Sequence, residues 1–226
     1  MKAIIVVPAF NESTVIFDVL KSLPKRLPDI DNIQVVVVDD GSFDQTQDLA
    51  KKANVKVIRH LLNRGAGAAT KTGIEYAKSR NADIIISFDA DGQHNAADLS
   101  KLIAPIISGE ADLVIGSRFR QKQKMPFDRL ILNWLANLVT LILFGVSSTD
   151  SQSGLRAFSQ KAADFIDFKA DRMDFSSEIL LEAKRHNLRV VEVPTRAIYS
   201  SYSREKGQKN IHAVSIFARF LIKLLG

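Results

Sequence analysis

A doubly wound α/β fold, with a mostly parallel sheet and helices on both faces, is predicted by three features of the 226-residue sequence. Apolar β-branched runs recur as continuous blocks, which is what strands covered on both faces require. Segments with helical spacing separate these runs, and strand, helix, strand repeated in this way builds parallel pairs. Polar clusters follow the runs, at the strand ends where ligands sit in such sheets.

The elements follow in order. The first strand, AIIVVPA, leads into PAFNE, Pro8 to Glu12. Apolar positions at Val15, Ile16, Val19, Leu20 and Leu23 then predict a helix, with Asn11 and Ser13 as candidate caps. IQVVVVDD is the second strand, and DDGSFDQT after it carries Ser42 and Asp44, read as cap or turn residues, before the helical QTQDLAKKA. VKVIRH is the third strand, and NRGAGAAT opens the helix AATKTGIEYAKS. ADIIISFD runs into FDADGQH, Phe88 to His94, and a helix over AADLSKLIAPIIS follows. ADLVIGS and, much later, LRVVEVP complete the strands. Between them lie a basic stretch, an apolar segment over 130–146, a polar turn STDSQSGLRAF and a helix over SSEILLEAKRHN.

The tail has apolar residues at Ile211, Val214, Phe217, Ala218, Leu221, Ile222 and Leu225, with Arg219 and Lys223 among them. That spacing predicts a basic amphipathic helix over 211–226, suited to packing on the domain or to lying on an anionic bilayer. No Pro/Gly/Ser-rich linker or internal repeat divides residues 1–210, so one domain is expected there. The apolar segment 130–146 is interrupted by Asn133 and Asn137 and is shorter than the ~20 residues of a spanning helix, so it reads as buried or interfacial. The N-terminal apolar run stops at Pro8, and no signal peptide is expected. The absence of cysteine excludes disulfide frameworks and thiolate metal sites. A net charge of +6 favours anionic partners: nucleotides, phosphates or an acidic membrane surface.

Asp89 and Asp91 carry the strongest chemical signal. Residues two apart in extended backbone project to the same side, so both carboxylates can face one point beyond the strand. A hard cation such as Mg²⁺ or Mn²⁺, shared with substrate phosphates, relieves their repulsion, and Gln93 and His94 stand nearby as further ligands or hydrogen-bond partners. The alternative is an acidic turn built on Asp91 and Gly92. Asp39 and Asp40 also end a strand, where a carboxylate can accept from a nucleobase edge or ribose hydroxyls. Gly65 and Gly67 suit either a plain turn or a loop lining a donor pocket. Thr70 replaces the third glycine of a dinucleotide fingerprint and no Gly-Lys-Ser/Thr follows, so neither that motif nor a P-loop is present. His60, His186 and His212 lie in no ligand-like spacing and read as structural or exposed.

Most of the basic residues Arg118, Arg120, Lys122, Lys124, Arg129, Arg156, Arg204, Lys206 and Lys209 read as solvated. Arg118 after a strand and Arg156 after Ser-Gly-Leu are the exceptions, because guanidinium groups bind phosphate bidentately.

The ordered blocks VVPAFNE, VVVDDGSFDQT, NRGAGAA, FDADGQH, IGSR, DSQSGLRAF, the Glu178 segment and EVPT with SREKGQK span almost the whole chain. Together they resemble family 2 glycosyltransferases of the GT-A fold, in the branch of dolichyl- and polyprenyl-phosphate mannosyl or glucosyl synthases. Phe10, Leu155 and Gln208 depart from that branch's common residues. By this resemblance Pro8, Phe10, Glu12, Asp39 and Gly65 line the nucleoside pocket, with Asp40 near it. Asp89, Asp91 and Gln93 surround a metal, Mg²⁺ or Mn²⁺, and the diphosphate. Arg118, Ser153, Arg156, Arg204 and Lys209 meet acceptor or donor phosphates, and Asp91, Arg118 and Arg156 are the catalytic set.

The resemblance implies inverting transfer of a hexose from a nucleoside diphosphate sugar, of the GDP-mannose or UDP-glucose kind, to a polyprenyl or dolichyl monophosphate. It also implies a cytoplasmic protein peripheral at the inner face of the cell membrane, with no nucleic-acid partner. Two other readings fit parts of the sequence: transfer to a glycan or small hydroxyl acceptor, and a phosphoacceptor signalling module built on VVVVDD and a later strand-end Asp.

Overall fold

The computed structural model describes residues 1–121, 127–169, 175–198 and 202. Lys122, Lys124, Arg204, Lys206, Lys209, His212 and the amphipathic tail 211–226 lie outside the described residues.

The first half alternates strand and helix: β1 (Lys2–Ala9), α1 (Ile16–Ser22), β2 (Asn32–Asp39), α2 (Thr46–Lys52), β3 (Lys56–Arg59), α3 (Ala66–Ser79) and β4 (Ile84–Ser87). A short 3₁₀ turn, Ala96–Asp98, precedes α4 (Leu99–Ile107) and β5 (Leu113–Ser117). The second half contributes α5 (Phe127–Phe144), β6 (Arg156–Ser159), α6 (Gln160–Phe165), α7 (Phe175–Arg185) and β7 (Val190–Pro194).

The strands form one sheet in the order β3-β2-β1-β4-β6-β5-β7. β1, β2, β3 and β4 pair in parallel, as do β5 and β7, while β6 runs antiparallel to both its neighbours. The sheet is therefore the mostly parallel one that the continuous apolar runs predict.

Alternation along each strand divides the core. Ile5, Val7, Ile84 and Ile86 pack on one face with Ile16, Leu20, Leu99, Leu102 and Ile103 of α1 and α4. Ile4, Val6 and Ile85 pack on the other with Ile74 of α3 and Phe175, Ile179 and Leu180 of α7. Helices thus cover both faces. The edge strand β7 is stapled to the start of β5, where Asp112 accepts from Arg189 N, Nε and Nη2. Those bonds outweigh burial and hold the Asp112 carboxyl down at about 2.

Three local readings are corrected. Residues 156–159 belong to a strand and not to the polar turn before them, because four residues are too few to show a period and the strand is specified by its neighbours β4 and β5. Asn11 and Ser13 do not cap α1, which begins at Ile16 without a side-chain cap. Asn11 Oδ1 instead accepts from Phe43 N and Ser13 N donates to Asp44, tying the loop after β1 to the loop after β2. Ser42 likewise accepts from Asn11 N and is no cap for α2, while Asp44 accepts from Thr46 N.

Helix α5 starts three residues before the predicted apolar segment and ends before Gly145, whose φ of 60° turns the chain away. Its polarity is inverted. Asn133 and Thr140 are buried, whereas Phe127, Leu130, Ile131, Trp134, Leu141 and Ile142 are exposed. Among the described residues no helix is long and apolar enough to cross a membrane.

Candidate active site

The carboxyl ends of β1, β2, β4 and β5 bring the polar clusters to one edge of the sheet. Ala9 sits in register with Asp39, and Val6 lies between Val36 and Ser87. That register places the PAFNE loop between the Asp39 turn and the Asp89 turn.

The two adjacent aspartates after β2 do different work. Asp40 is buried and bonded entirely within the protein: it accepts from Arg64 N and from Gly65 N at 2.7 Å, and His60 Nδ1 lies 2.6 Å from its Oδ1. It therefore anchors the 60–65 loop, and Gly65 enters α3 with a φ of 107° that few other residues adopt. His60, read as structural, also lies 2.9 Å from Thr72 Oγ1 and joins that loop to α3. Asp39 Oδ1 accepts from Ser42 N, whereas its buried Oδ2 has no hydrogen-bond partner among the described residues. Arg59 Nε stands 3.4 Å from that oxygen, close enough to balance its charge but out of line for a hydrogen bond. A buried carboxylate oxygen in this state has acceptor capacity left for a further donor.

Beside it, Phe10 meets the exposed Phe43 edge to face, with centroids 6.1 Å apart. Pro8 lies within β1, in register with Val38 of β2. Glu12 N donates to Thr46 Oγ1, and its carboxylate accepts from Tyr202 Oη at 2.8 Å.

The Asp89 turn holds its two carboxylates in contrasting states. The Asp89 side chain keeps 39% of its surface accessible, and its Oδ2 lies 2.9 Å from Nε2 of the buried His94. Burial opposes ionisation of Asp89, but the His94 hydrogen bond and the charges of His94, Arg118 and Arg156 outweigh it and hold the carboxyl below its usual range. Asp91 is shifted upward, first by burial and then by the charge of Asp89. Gln93 orients Asp91, donating from its backbone N at 2.9 Å and from Nε2 at 2.6 Å.

Gly154 lies against Asp89. A Cβ there would stand 2.1 Å from Asp89 Oδ2 and 2.3 Å from Oδ1, so only a glycine lets the 151–156 segment seat against the carboxylate. The described residues contain no group of three or more His, Cys, Asp or Glu side chains arranged to hold a metal. Two carboxylates with mutual repulsion do fit Mg²⁺ or Mn²⁺, which keep waters or substrate phosphates in their remaining positions.

The structure gives the other predicted phosphate contacts different surroundings. Arg156 is buried, and its guanidinium donates to the carbonyl oxygens of Ser151, Ser153 and Ser176. Burial lowers it to about 10, against the opposing charges of Asp150 and Asp89. Ser153 Oγ donates to Gly116 O at 2.6 Å and is also buried. Both residues therefore stand inside the wall of the site. Arg118 is at its rim, with a side chain 19% exposed, and pairs through Nε and Nη2 with Asp150.

Residues that the sequence reading passed over complete the wall. Asp150 and Glu192 are the main ones: Glu192 accepts from Ser148 Oγ, Thr149 N and Arg120 Nε. Their partners stand far off in sequence: Asp150 pairs with Arg118 after β5, and Glu192 on β7 reaches Arg120 because β5 and β7 lie side by side.

The family model described as glycosyl transferase family 2 matches residues 4–166. A UDP-N-acetylglucosamine–dolichyl-phosphate N-acetylglucosaminyltransferase of Methanococcus voltae is 37% identical over 98% of this chain and 96% of its own length. An undecaprenyl-phosphate mannosyltransferase of Micrococcus luteus is 30% identical over 93% of this chain and 88% of its own. Among solved structures, glucosyl-3-phosphoglycerate synthase of Mycobacterium tuberculosis, in complex with Mn²⁺, UDP-glucose and phosphoglyceric acid, superposes with a TM-score of 0.68. It is 20% identical, over 90% of this chain and 74% of that one.

Proposed function

Because this chain belongs to glycosyl transferase family 2, we propose that it moves a hexose or N-acetylhexosamine from a nucleoside diphosphate sugar to a polyprenyl or dolichyl monophosphate, with inversion at the anomeric carbon. The observation that carries the donor half is the pairing, on one sheet edge, of the buried Asp39 oxygen, which has no hydrogen-bond partner among the described residues, and the repelling carboxylates of Asp89 and Asp91. The first suits a donor from a nucleobase or ribose, the second a cation and diphosphate. Relatives named for transfer to lipid phosphates support the acceptor half.

In this reading Asp39, Glu12, Pro8, Phe10 and the Gly65 loop hold the nucleoside, with Asp40 shaping that loop. Asp89, Asp91 and Gln93 would hold the divalent metal, which offsets the charge of the departing diphosphate. His94 keeps Asp89 ionised and turned toward the crevice. Arg156, bonded to three carbonyls, contributes its charge from beneath Asp89 and does not touch the acceptor. Arg118, at the rim, orients the acceptor phosphate for in-line attack. A phosphate is already ionised at neutral pH, so no strong general base is needed. Arg204 and Lys209 belong to the same proposal as further phosphate contacts.

The exposed apolar face of α5 supports a peripheral position on a membrane surface, where a prenyl phosphate is presented. Its exposed Ile131, Trp134 and Ile142 suit an apolar interface better than water.

The donor site is tested by thermal shift with uridine and guanosine diphosphates, with and without Mn²⁺ or Mg²⁺. Metal-dependent stabilisation by one nucleotide is expected, and its loss in Asp91→Asn. No metal-dependent stabilisation by either would overturn the donor assignment. Radiolabel transfer to a short prenyl phosphate then tests the acceptor, and transfer only to a water-soluble sugar would replace it with a hydroxyl.

A further inference from the structure

The carboxylate of Asp150 is fully buried, and among the described residues its hydrogen bonds come from Arg118 and Asn133. Its Oδ2 accepts from Arg118 N at 3.0 Å and Arg118 Nε at 2.7 Å, and its Oδ1 accepts from Arg118 Nη2 at 2.7 Å and Asn133 Nδ2 at 3.1 Å. The fork fixes the guanidinium plane, and the bond to the Arg118 amide fixes the backbone from which that side chain springs. The Nη1 corner is thereby held on the side away from Asp150. Arg118 directly follows β5, which runs in the same direction as β4, so the plane is fixed at the sheet edge that carries the Asp89 turn.

Asn133 brings in α5. One turn further along the helix, Asn137 Nδ2 donates to Thr149 O and its Oδ1 accepts from Ser151 N. The two asparagines thus grip the residue on either side of Asp150 and Asp150 itself. From the other flank Asp150 N donates to Ser148 Oγ, which donates to Glu192. The loop is therefore clamped between α5 and β7.

Burying an ion pair contributes little net stability, because desolvation of both charges offsets their attraction. Its specific product is geometry. We infer that Asp150 is a positioning residue for the acceptor: it locks the Arg118 guanidinium in the orientation that receives a lipid phosphate, and through Asn133 keys that orientation to the placement of α5. This rests on the reading that Arg118 meets the acceptor phosphate.

The test uses the full chain, a short prenyl phosphate, and the nucleotide sugar chosen from UDP-N-acetylglucosamine, UDP-glucose and GDP-mannose by the transfer assay. Acceptor KM, kcat and the calorimetric affinity for the nucleoside diphosphate with Mn²⁺ are measured for Asp150→Asn, Arg118→Ala and the double variant. Asp150→Asn is expected to raise the acceptor KM roughly tenfold or more, the scale of a lost charged hydrogen bond, with donor affinity within about twofold of the parent. The double variant should be no worse than Arg118→Ala alone.

Additive effects, or donor affinity falling in parallel, would show a general structural role and overturn the inference. If Arg118→Ala raises the acceptor KM and Asp150→Asn does not, the positioning role alone fails. If Arg118→Ala leaves it unchanged, the acceptor reading of Arg118 fails and the inference with it. Should Asp150→Asn not fold, Asn133→Ala must raise the acceptor KM at constant donor affinity, and an unchanged KM there overturns the proposal.

Discussion

At Gly154 a missing methyl group decides where a carboxylate stands. The Cα of that residue occupies the space behind Asp89, and the nearest carboxylate oxygen is 2.1 Å from where a Cβ would lie. Gly154→Ala is therefore expected to displace Asp89 and weaken Mn²⁺-dependent nucleotide binding about tenfold or more, as changes behind metal ligands do. Calorimetry with and without Mn²⁺ checks this, and a variant that binds nucleotide as tightly as the parent in Mn²⁺ would refute it. The same scale separates Asp39 from Asp40. Both were legible as strand-end acids, yet only the fold reveals that Asp40 is engaged by Arg64, Gly65 and His60 while Asp39 keeps one oxygen without a hydrogen bond among the described residues. Arg156 illustrates the converse: its type suggested phosphate, and its burial on three carbonyls turns it into part of the wall.

Among the elements, α3 lies unusually close to β1 because Gly73 faces Val6. A Cβ on Gly73 would stand 2.0 Å from Val6 Cγ1. Gly73→Ala should therefore destabilise the protein by about 1–3 kcal/mol through overpacking, despite the higher helix propensity of alanine. Urea denaturation measures it, and adding Val6→Ala should recover part of the loss; a more stable Gly73→Ala would refute the packing account. Long apolar strands were readable because burial on both faces writes itself into consecutive residues. β6 was not, since its four residues owe their conformation to strands on either side. In α5 the helix was legible and its orientation was not: the asparagines looked like interruptions, and they are the inward face.

For the whole molecule, the inverted α5 and the edge that carries the candidate site belong to one assembly, joined through the Thr149–Ser151 segment. If α5 lies on a bilayer, Ile131→Ser with Trp134→Ser should reduce flotation with lipid vesicles at least about tenfold, since two large apolar side chains no longer enter the interface. Nucleotide affinity should be unaffected, and undiminished flotation would remove α5 from the membrane contact. The fold class, the strand-end site and the acidic pair were determined by the sequence itself, because burial periodicity and closely spaced functional groups are local properties of the chain. Which carboxylate holds Arg118, why Gly154 must be glycine, and which face of α5 turns outward were decided only by tertiary structure. Those outcomes depend on contacts between residues tens of positions apart, and only the order of strands in the sheet brings such residues together.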